Sequence, residues 1–335
     1  MKLHYQLTLL LALLFSVNAT ANSAQPGLWN AGGSGSFSLL FPEDSTGFKK
    51  VQMAEEKICI QLYNGFAVIK GTYWMYNTSD DTVKIKSGYP INSYFDSDNF
   101  KVAGVQFDDL YKIKVKINGE NETIWKDTIF DDMDYQDENW YVWNSVFPPK
   151  KTTKFEVYFI VNTSNAIVRQ GYSTKDVNGF VYLLETGANW KQPILKGQII
   201  IQLMDGLDTD DIYGIRPDSI FTYQSSDEIL KFDFTKLSPT WENNIVINYA
   251  GGEDFDFSAI LSQSDDLFKK IEDLDGTKMD SQNFEPITFD NPFHVPGSFN
   301  NPIAIIFWVV VAVLALLFIG LPLFIILRKR KKMKG

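Results

Sequence analysis

Apolar and polar residues alternate along most of this chain with a period of two, the mark of strands that keep one face on a core. YKIKVKINGE, from Tyr111, sets Ile113, Val115 and Ile117 against Lys112, Lys114 and Lys116 and then turns at Asn118-Gly119. That pattern predicts a strand entering a type I′ hairpin, with ETIWKDTIF as the returning strand. KFEVYFIV predicts a second strand with Phe155, Val157, Phe159 and Val161 inward. KICIQLY, FAVIKGTYWMY, TVKIKSGYP, GFVYLLE, LKGQIIIQLM, SIFTYQ, ILKFDF and NIVINYA add more, and no helical pattern separates them. The expected fold class is mainly β, an antiparallel β-sandwich of one or two units, with residues 51–165 as a first unit and 166–274 as a second. A helix ends the second unit: SDDLFKKIEDL spaces Leu267, Ile271 and Leu274 at helical intervals behind Ser264 as N-cap and two aspartates.

Two segments break the alternation by being apolar throughout. Lys2 precedes an apolar run from Leu7 to Val17 and then Ala19-Thr20-Ala21, which reads as a secretory signal peptide over residues 1–21 with the mature chain starting near Asn22. Ile303 to Leu327 is uncharged and long enough to cross a bilayer as a tilted or kinked helix, and RKRKKMK follows it. By the positive-inside rule the basic tail, residues 328–335, stays in the cytoplasm, which makes the expected product a single-pass protein of the cell membrane with its N-terminal domain outside. No LPxTG motif precedes the span, so a retained anchor is expected. Residues 22–50, with AGGSGS, read as a flexible leader, and 275–302, rich in Asp, Asn and Pro with scattered Phe, as an irregular stalk.

Setting these ends aside changes the charge. Lys2 and the six basic residues of the tail leave 24 Lys and Arg against 41 Asp and Glu, so the expected ectodomain carries about −17. Such a surface excludes nucleic acid as a partner and favours cations or basic proteins. Cys59 is the only cysteine, so the fold rests on its apolar core without an intrachain disulfide. His4 belongs to the signal segment and His294 to the stalk, which leaves carboxylates, Tyr and Lys as the residues any enzyme chemistry would use.

Carboxylates gather in FDDMDYQDENW (Asp131, Asp132, Asp134, Asp137, Glu138) and in MDGLDTDDIYG (Asp205, Asp208, Asp210, Asp211). The second set is a calcium candidate because a hard cation takes several converging oxygens; a solvated acidic loop is the leading reading and a paired-carboxylate active site a third, and no further cofactor is expected. The EF-hand spacing is absent: counted from Asp208, the fifth position is Ile212 and the twelfth Ser219. Tyr73, Trp74 and Tyr76, then Trp140, Tyr141 and Trp143, and Trp190 are either core filling or a stacking surface for sugars. Core filling is the leading reading, and ENWYVWNSVFPP is the best place for an exposed exception to it. Asn77, Asn121 and Asn162 open glycosylation sequons in expected turns, usable in a eukaryotic host, and Cys59 reads as an inert small apolar residue.

Two stretches carry a family resemblance. VQMAEEKICIQL with FAVIKGTYWMYNTSDDTVKIKSGYP presents Met53, Glu56, Tyr73, Asn77, Ser79 and Pro90; YLLETGANWKQPI presents Tyr182, Thr186, Gly187, Trp190, Pro193 and Ile194. In order and spacing they resemble an uncharacterised family of bacterial secreted or envelope proteins, with Met-x-x-Glu, Asn-Thr-Ser and Phe-Pro or Tyr-Pro steps followed by Thr-Gly-Ala-Asn-Trp and Pro-Ile. Tyr89 stands where Phe is usual. The resemblance implies an exported sandwich-like domain and assigns no catalytic residue. Tyr182, Gly187, Trp190 and Pro193 are expected to be structural, with Trp190 folded back onto the sheet.

The leading expectation is a non-enzymatic, membrane-anchored ectodomain that binds an envelope protein or glycan. The rival is a carboxylate-dependent hydrolase acting on carbohydrate, and a third reading is an assembly subunit whose span pairs with a larger complex.

Overall fold

The computed structural model describes residues 27–35, 38–39, 45–91, 93–95, 104–108, 110–127, 140–170, 173–250, 256–279, 281–295, 310 and 313–314. The expected signal segment, the Asp131–Glu138 cluster and the basic tail lie outside them. Of the expected span, Val310, Val313 and Leu314 are described and helical. Among the described residues no helix is long and apolar enough to cross a membrane.

The alternating segments build sheets of nine, seven and four strands among the described residues. The nine-stranded sheet runs in the order Glu285–Pro286, Thr222–Gln224, Ile229–Leu237, Ile194–Leu203, Val51–Tyr63, Phe66–Asn77, Thr152–Asn162, Tyr111–Ile117 and Glu120–Asn121. The seven-stranded sheet centres on Ser173–Leu183, Ala166–Gln170 and Gly27–Gly35, with Ile212–Arg216 and Ser93–Phe95 at its edges. Trp125–Asp127, Trp140–Phe147, Val83–Pro90 and Ser38–Leu39 form the smallest.

One apolar cluster draws on all three sheets: Ile58, Ile60, Ile69 and Phe159 from the largest, Phe180 and Ile247 from the seven-stranded, Val83 and Trp143 from the smallest. The other face of the large sheet buries Cys59, Val68, Tyr158, Ile160 and Ile200 under the helix Ser264–Gly276, whose Leu267, Phe268, Ile271 and Leu274 point onto it. Central strands therefore bury both faces. Phe155, Val157, Phe159 and Val161 face the inter-sheet core as their spacing predicts, while Tyr158 and Ile160 between them face the helix. The helix starts at Ser264 with Gln263 as its cap, behind a shorter helix, Phe257–Ser262, capped by Asp256.

Several expectations change. Most strand pairs are antiparallel, but Ile194–Leu203 pairs parallel with Val51–Tyr63, and Gly27–Gly35 pairs parallel with two neighbours. Such pairs join strands far apart in sequence, which alternation alone does not reveal. The parallel pair also crosses the expected boundary at residue 165, so the stretches 51–165 and 166–274 share sheets. Leader residues 27–35 form a strand with Leu28 and Ala31 fully buried. Asn118 and Gly119 take the positive φ values of the hairpin turn, 51° and 90°, but the returning strand is only Glu120–Asn121, and Trp125–Asp127 crosses to the smallest sheet.

The largest departure is the expected stalk. Residues 281–293 cross the folded body as a strap: Glu285–Pro286 pairs with Thr222–Gln224, Ile287 N–H donates to Phe221 O (3.3 Å), and Phe289 N–H to Asp218 O (3.2 Å). Farther on, Ile215 N–H donates to Asp290 O (3.1 Å) and the Asn248 amide to Pro292 O. Ile287 and Phe289 pack on the inter-sheet core and Phe293 is buried. The scattered phenylalanines that gave the segment no regular period are its anchors.

Gly214 makes room for the strap, since a Cβ there would lie 2.6 Å from Pro292 N and 2.7 Å from Asp290 O. Gly214→Val is therefore expected to cost about 1–3 kcal/mol by overpacking and to raise amide exchange over residues 284–293. Unchanged exchange there would show that the strap does not depend on this contact.

Candidate functional site

Three of the residues singled out in the sequence, Glu56, Tyr73 and Tyr182, meet inside the protein. In a regular strand, positions three apart face opposite sides, so Met53 and Glu56 could not both point inward. A bulge between Met53 and Glu55 shifts the register against Phe66–Asn77, and from there Glu56, Ile58, Ile60 and Leu62 continue the inward face begun by Val51 and Met53. Glu56 is thus fully buried opposite Tyr73.

Tyr182 Oη, from the seven-stranded sheet, donates to Glu56 Oε1 at 3.2 Å; Tyr73 Oη lies 2.9 Å from Tyr182 Oη, and Tyr89 Oη of the smallest sheet 2.6 Å from Tyr73 Oη. With one proton per hydroxyl, the bond into Glu56 sets the direction of the relay: Tyr89 donates to Tyr73, Tyr73 to Tyr182, Tyr182 to Glu56. Burial first, then Tyr182 and Glu56, hold the Tyr73 phenol well above its ordinary value, so Tyr73 stays protonated. Gly71 lets the Tyr73 ring fold back along its own strand; a Cβ there would meet the phenol oxygen at 2.5 Å. This chain is enclosed and ties three sheets together.

Trp190 is also enclosed. Leu184–Asn189 forms a 3-10 helix with Gly187 buried inside it, and Trp190 closes it by donating its N–H to Gly187 O (3.3 Å). Its ring lies 4.6 Å from that of Phe48 and 5.9 Å from that of Phe147, and the next peptide, Lys191 N–H to Val51 O (2.9 Å), stitches the turn to the large sheet. The Gln192-Pro193 peptide is cis and leads into Ile194–Leu203. Trp143 is fully buried beside Tyr89, as the core-filling reading has it, and Trp140 is half-buried.

The Asn77 sequon is corrected by its burial. Asn77 is fully buried and its amide donates to Asp81 O (2.7 Å) and Phe147 O (2.9 Å), so it cannot carry a glycan in the folded protein. Asn77 Oδ1 accepts Ser79 N–H and Oγ–H, and Asn162 Oδ1 accepts the same two groups of Ser164. The repeated Asn-Thr-Ser is one turn device used at the ends of two neighbouring strands. Asn121 is exposed in the short strand Glu120–Asn121.

Asp205, Asp208, Asp210 and Asp211 lie on a surface loop where carboxylates serve the backbone. Asp208 accepts from Asp210 N–H at 2.7 Å and Asp211 from Asp208 N–H at 3.1 Å, a reciprocal cap on a short 3-10 turn. Among the described residues no three or more His, Cys, Asp or Glu are grouped to hold a metal ion.

The accessible chemistry lies on the helix-covered face. Register alone places Ile200, Cys59, Lys70, Tyr158 and Lys114 in one row across five strands. Lys70, 2% exposed, reaches Glu272 Oε2 (2.5 Å) and Asp275 Oδ2 (2.7 Å) on the helix and Glu156 Oε1 at 3.5 Å. Lys57 also binds Asp275 (2.9 Å), and Tyr158 donates to Glu272. Burial raises both helix carboxyls, but the hydrogen bonds and charge of Lys70, with Tyr158 and Lys116 at Glu272 and Lys57 at Asp275, together outweigh it and hold them below the usual range. Burial, reinforced by Asp275, pushes the Cys59 thiol up to about 12, which makes it inert.

Beside this network, a groove of about 330 Å³ opens between the helix and the sheet, with Gln61 and Gln202 on its floor and Lys270 and Asp273 on its rim. On the seven-stranded side, Glu185 and Asn244 exchange bonds, Glu185 N–H to Asn244 Oδ1 (3.0 Å) and Asn244 Nδ2 to Glu185 Oε1 (2.7 Å), while burial raises the Glu185 carboxyl.

No family model matches this chain, and no curated protein matches it. Among solved structures, a candidate nutrient-binding protein from Legionella pneumophila is similar over 77% of this chain and 82% of its own, at 14% identity and TM-score 0.46. Two structures of an M1 zinc metallopeptidase from Deinococcus radiodurans are similar over 60% of this chain and 43% and 42% of theirs, at 6% identity and TM-score 0.29. Such likenesses establish neither a shared fold nor a shared activity.

The depressed carboxyls fix the sign of a pH effect: the stability they give is present above the ordinary values of 4.5 for Glu272 and 3.8 for Asp275, and is lost as pH falls through the lower folded-state values. Amide protection of residues 264–276 is expected to hold from neutral pH down to those values and collapse below them. Lys70→Met is expected to cost about 3 kcal/mol in urea unfolding, the low end for a broken buried pair because Glu272 keeps contact with water. A neutral substitution would mean that apolar packing alone docks the helix. Trp190→Ala, which empties a closed aromatic site, is expected to cost about 3–5 kcal/mol in the same measurement.

Proposed function

We propose that this chain is a membrane-anchored extracytoplasmic module that binds a partner or ligand without transforming it. The observation that carries the non-enzymatic part is the state of the buried and half-buried carboxylates Glu56, Glu185, Glu272 and Asp275 among the described residues. Glycoside hydrolysis needs two facing carboxyls, one of them protonated. Glu272 and Asp275 share one buried ammonium and are both held ionised. Glu185 does have a raised carboxyl, but Asn244 occupies its oxygen, and the pair serves to clasp a 3-10 helix to the loop before Ile245–Tyr249. Glu56 is sealed between sheets. The anchoring part rests on the apolar run from Ile303 to Leu327, the basic residues that follow it, and the signal-like N-terminus.

Labelling of intact cells with a membrane-impermeant amine reagent tests the topology. Lys84, Lys114 and Lys196 are expected to react in intact cells, and Lys329 to Lys334 only after permeabilisation. Reaction of the tail in intact cells, or protection of the three sheet lysines, would contradict the orientation. Turnover of a glycan by the purified full chain that Glu185→Gln abolishes would overturn the non-enzymatic reading.

A further inference from the structure

We propose that the groove between the helix Ser264–Gly276 and the outer face of the large sheet binds a free α-amino acid with an aliphatic side chain. The inference rests on the binding-module reading and names the ligand class of that same surface. Its volume, about 330 Å³, lies at the lower end of the range of about 300–1,000 Å³ usual for small-molecule sites.

The floor is a directed polar chain. Gln61 and Gln202 are direct partners in the parallel register of two central strands. Tyr63 Oη donates to Gln61 Oε1 (3.4 Å) and Gln61 Nε2 donates to Gln202 Oε1 (3.1 Å). Gln61 is 3% exposed, so this orientation is fixed by burial. The Gln202 carbonyl accepts from Gln61, and Gln202, which lines the groove, offers its amide N–H groups as donors to a ligand there.

The helix supplies the charges by spacing. Lys270, Asp273, Leu274 and Thr277 fall at i, i+3, i+4 and i+7, one stripe along the groove, separate from the Glu272 and Asp275 side that grips Lys70. Lys270 offers a cation and Asp273 an anion one turn apart, and Leu274 with Ile229 and Met204 gives an apolar wall. Asp227, the other acid at the rim, already accepts from Gln224 Nε2 (3.0 Å) and Ser226 Oγ (2.9 Å).

An amide donor and an ammonium beside a carboxylate match a ligand carboxylate and a ligand ammonium on one carbon, and the apolar wall matches a branched aliphatic side chain. A sugar fits less well, because among the described residues no aromatic ring lines the groove to stack against a pyranose face.

The test is calorimetric titration of the full chain in detergent micelles with L-leucine, with 4-methylpentanoate, 3-methylbutylamine and glucose as comparison probes. Saturable leucine binding is expected, at least tenfold tighter than either half-molecule. Lys270→Glu and Gln202→Ala are each expected to weaken it at least tenfold with tryptophan emission unchanged, while Lys84→Glu, on the smallest sheet, leaves it intact. Because Lys270 is exposed on the helix, its variant keeps the fold and the result interpretable. Absence of saturable leucine binding, binding equal in all variants, or glucose binding in its place would overturn the proposal. The labelling experiment above reads the topology independently, so either can fail alone.

Discussion

A carboxylate and three phenols, hydrogen-bonded in series between three sheets, set the terms on which the rest of this molecule is built. Each sheet contributes at least one member: Glu56 and Tyr73 the largest, Tyr182 the seven-stranded, Tyr89 the smallest. Apolar packing is non-directional and would tolerate sliding of one layer over another. A buried polar chain does not, because a shift that breaks one bond strands the others without water. The bulge after Met53, the glycine at 71 and the closed turn at Trp190 all serve this arrangement, by turning Glu56 inward, by making space for Tyr73, and by fixing the strand that follows Tyr182.

The opposite face of the large sheet is organised by a second buried charge. Lys70 sits within the cross-strand row under the helix, and the helix supplies its counter-ions from one side and apolar contacts to the sheet from another. Three functions therefore share the helix Ser264–Gly276: packing through Leu267, Phe268, Ile271 and Leu274, neutralisation through Glu272 and Asp275, and the groove through Lys270 and Asp273. The strap of residues 281–293, immediately after the helix, then spans edge strands of both large sheets and covers groups that an open edge would expose.

Local periodicity made much of this readable. The strands Tyr111–Ile117 and Thr152–Asn162, the Asn118-Gly119 turn and the helix with its three apolar positions follow from spacing within ten or so residues. What alternation does not encode is which strands become neighbours, so the parallel pairing of Val51–Tyr63 with Ile194–Leu203 is not legible from it. In the sequence the strap resembles a stalk because Ile287, Phe289 and Phe293 have no period; their partners lie far back in the chain. At the site level, Glu56, Tyr73 and Tyr182 stood out by resemblance, while Met-x-x-Glu itself held an unread clue: two inward residues three apart require a bulge. Lys70 gave no signal at all, since a lysine in a strand reads as a solvent-facing residue until a helix from 200 residues later covers it.

The central claim is that the buried phenol relay couples the sheets energetically. A double-mutant cycle of Tyr73→Phe and Tyr182→Phe, read by urea unfolding, tests it most directly. The account predicts a coupling energy of about 0.5–3 kcal/mol, the range for residues in one hydrogen-bond network. Strict additivity, with each phenol contributing independently of the other, would contradict it.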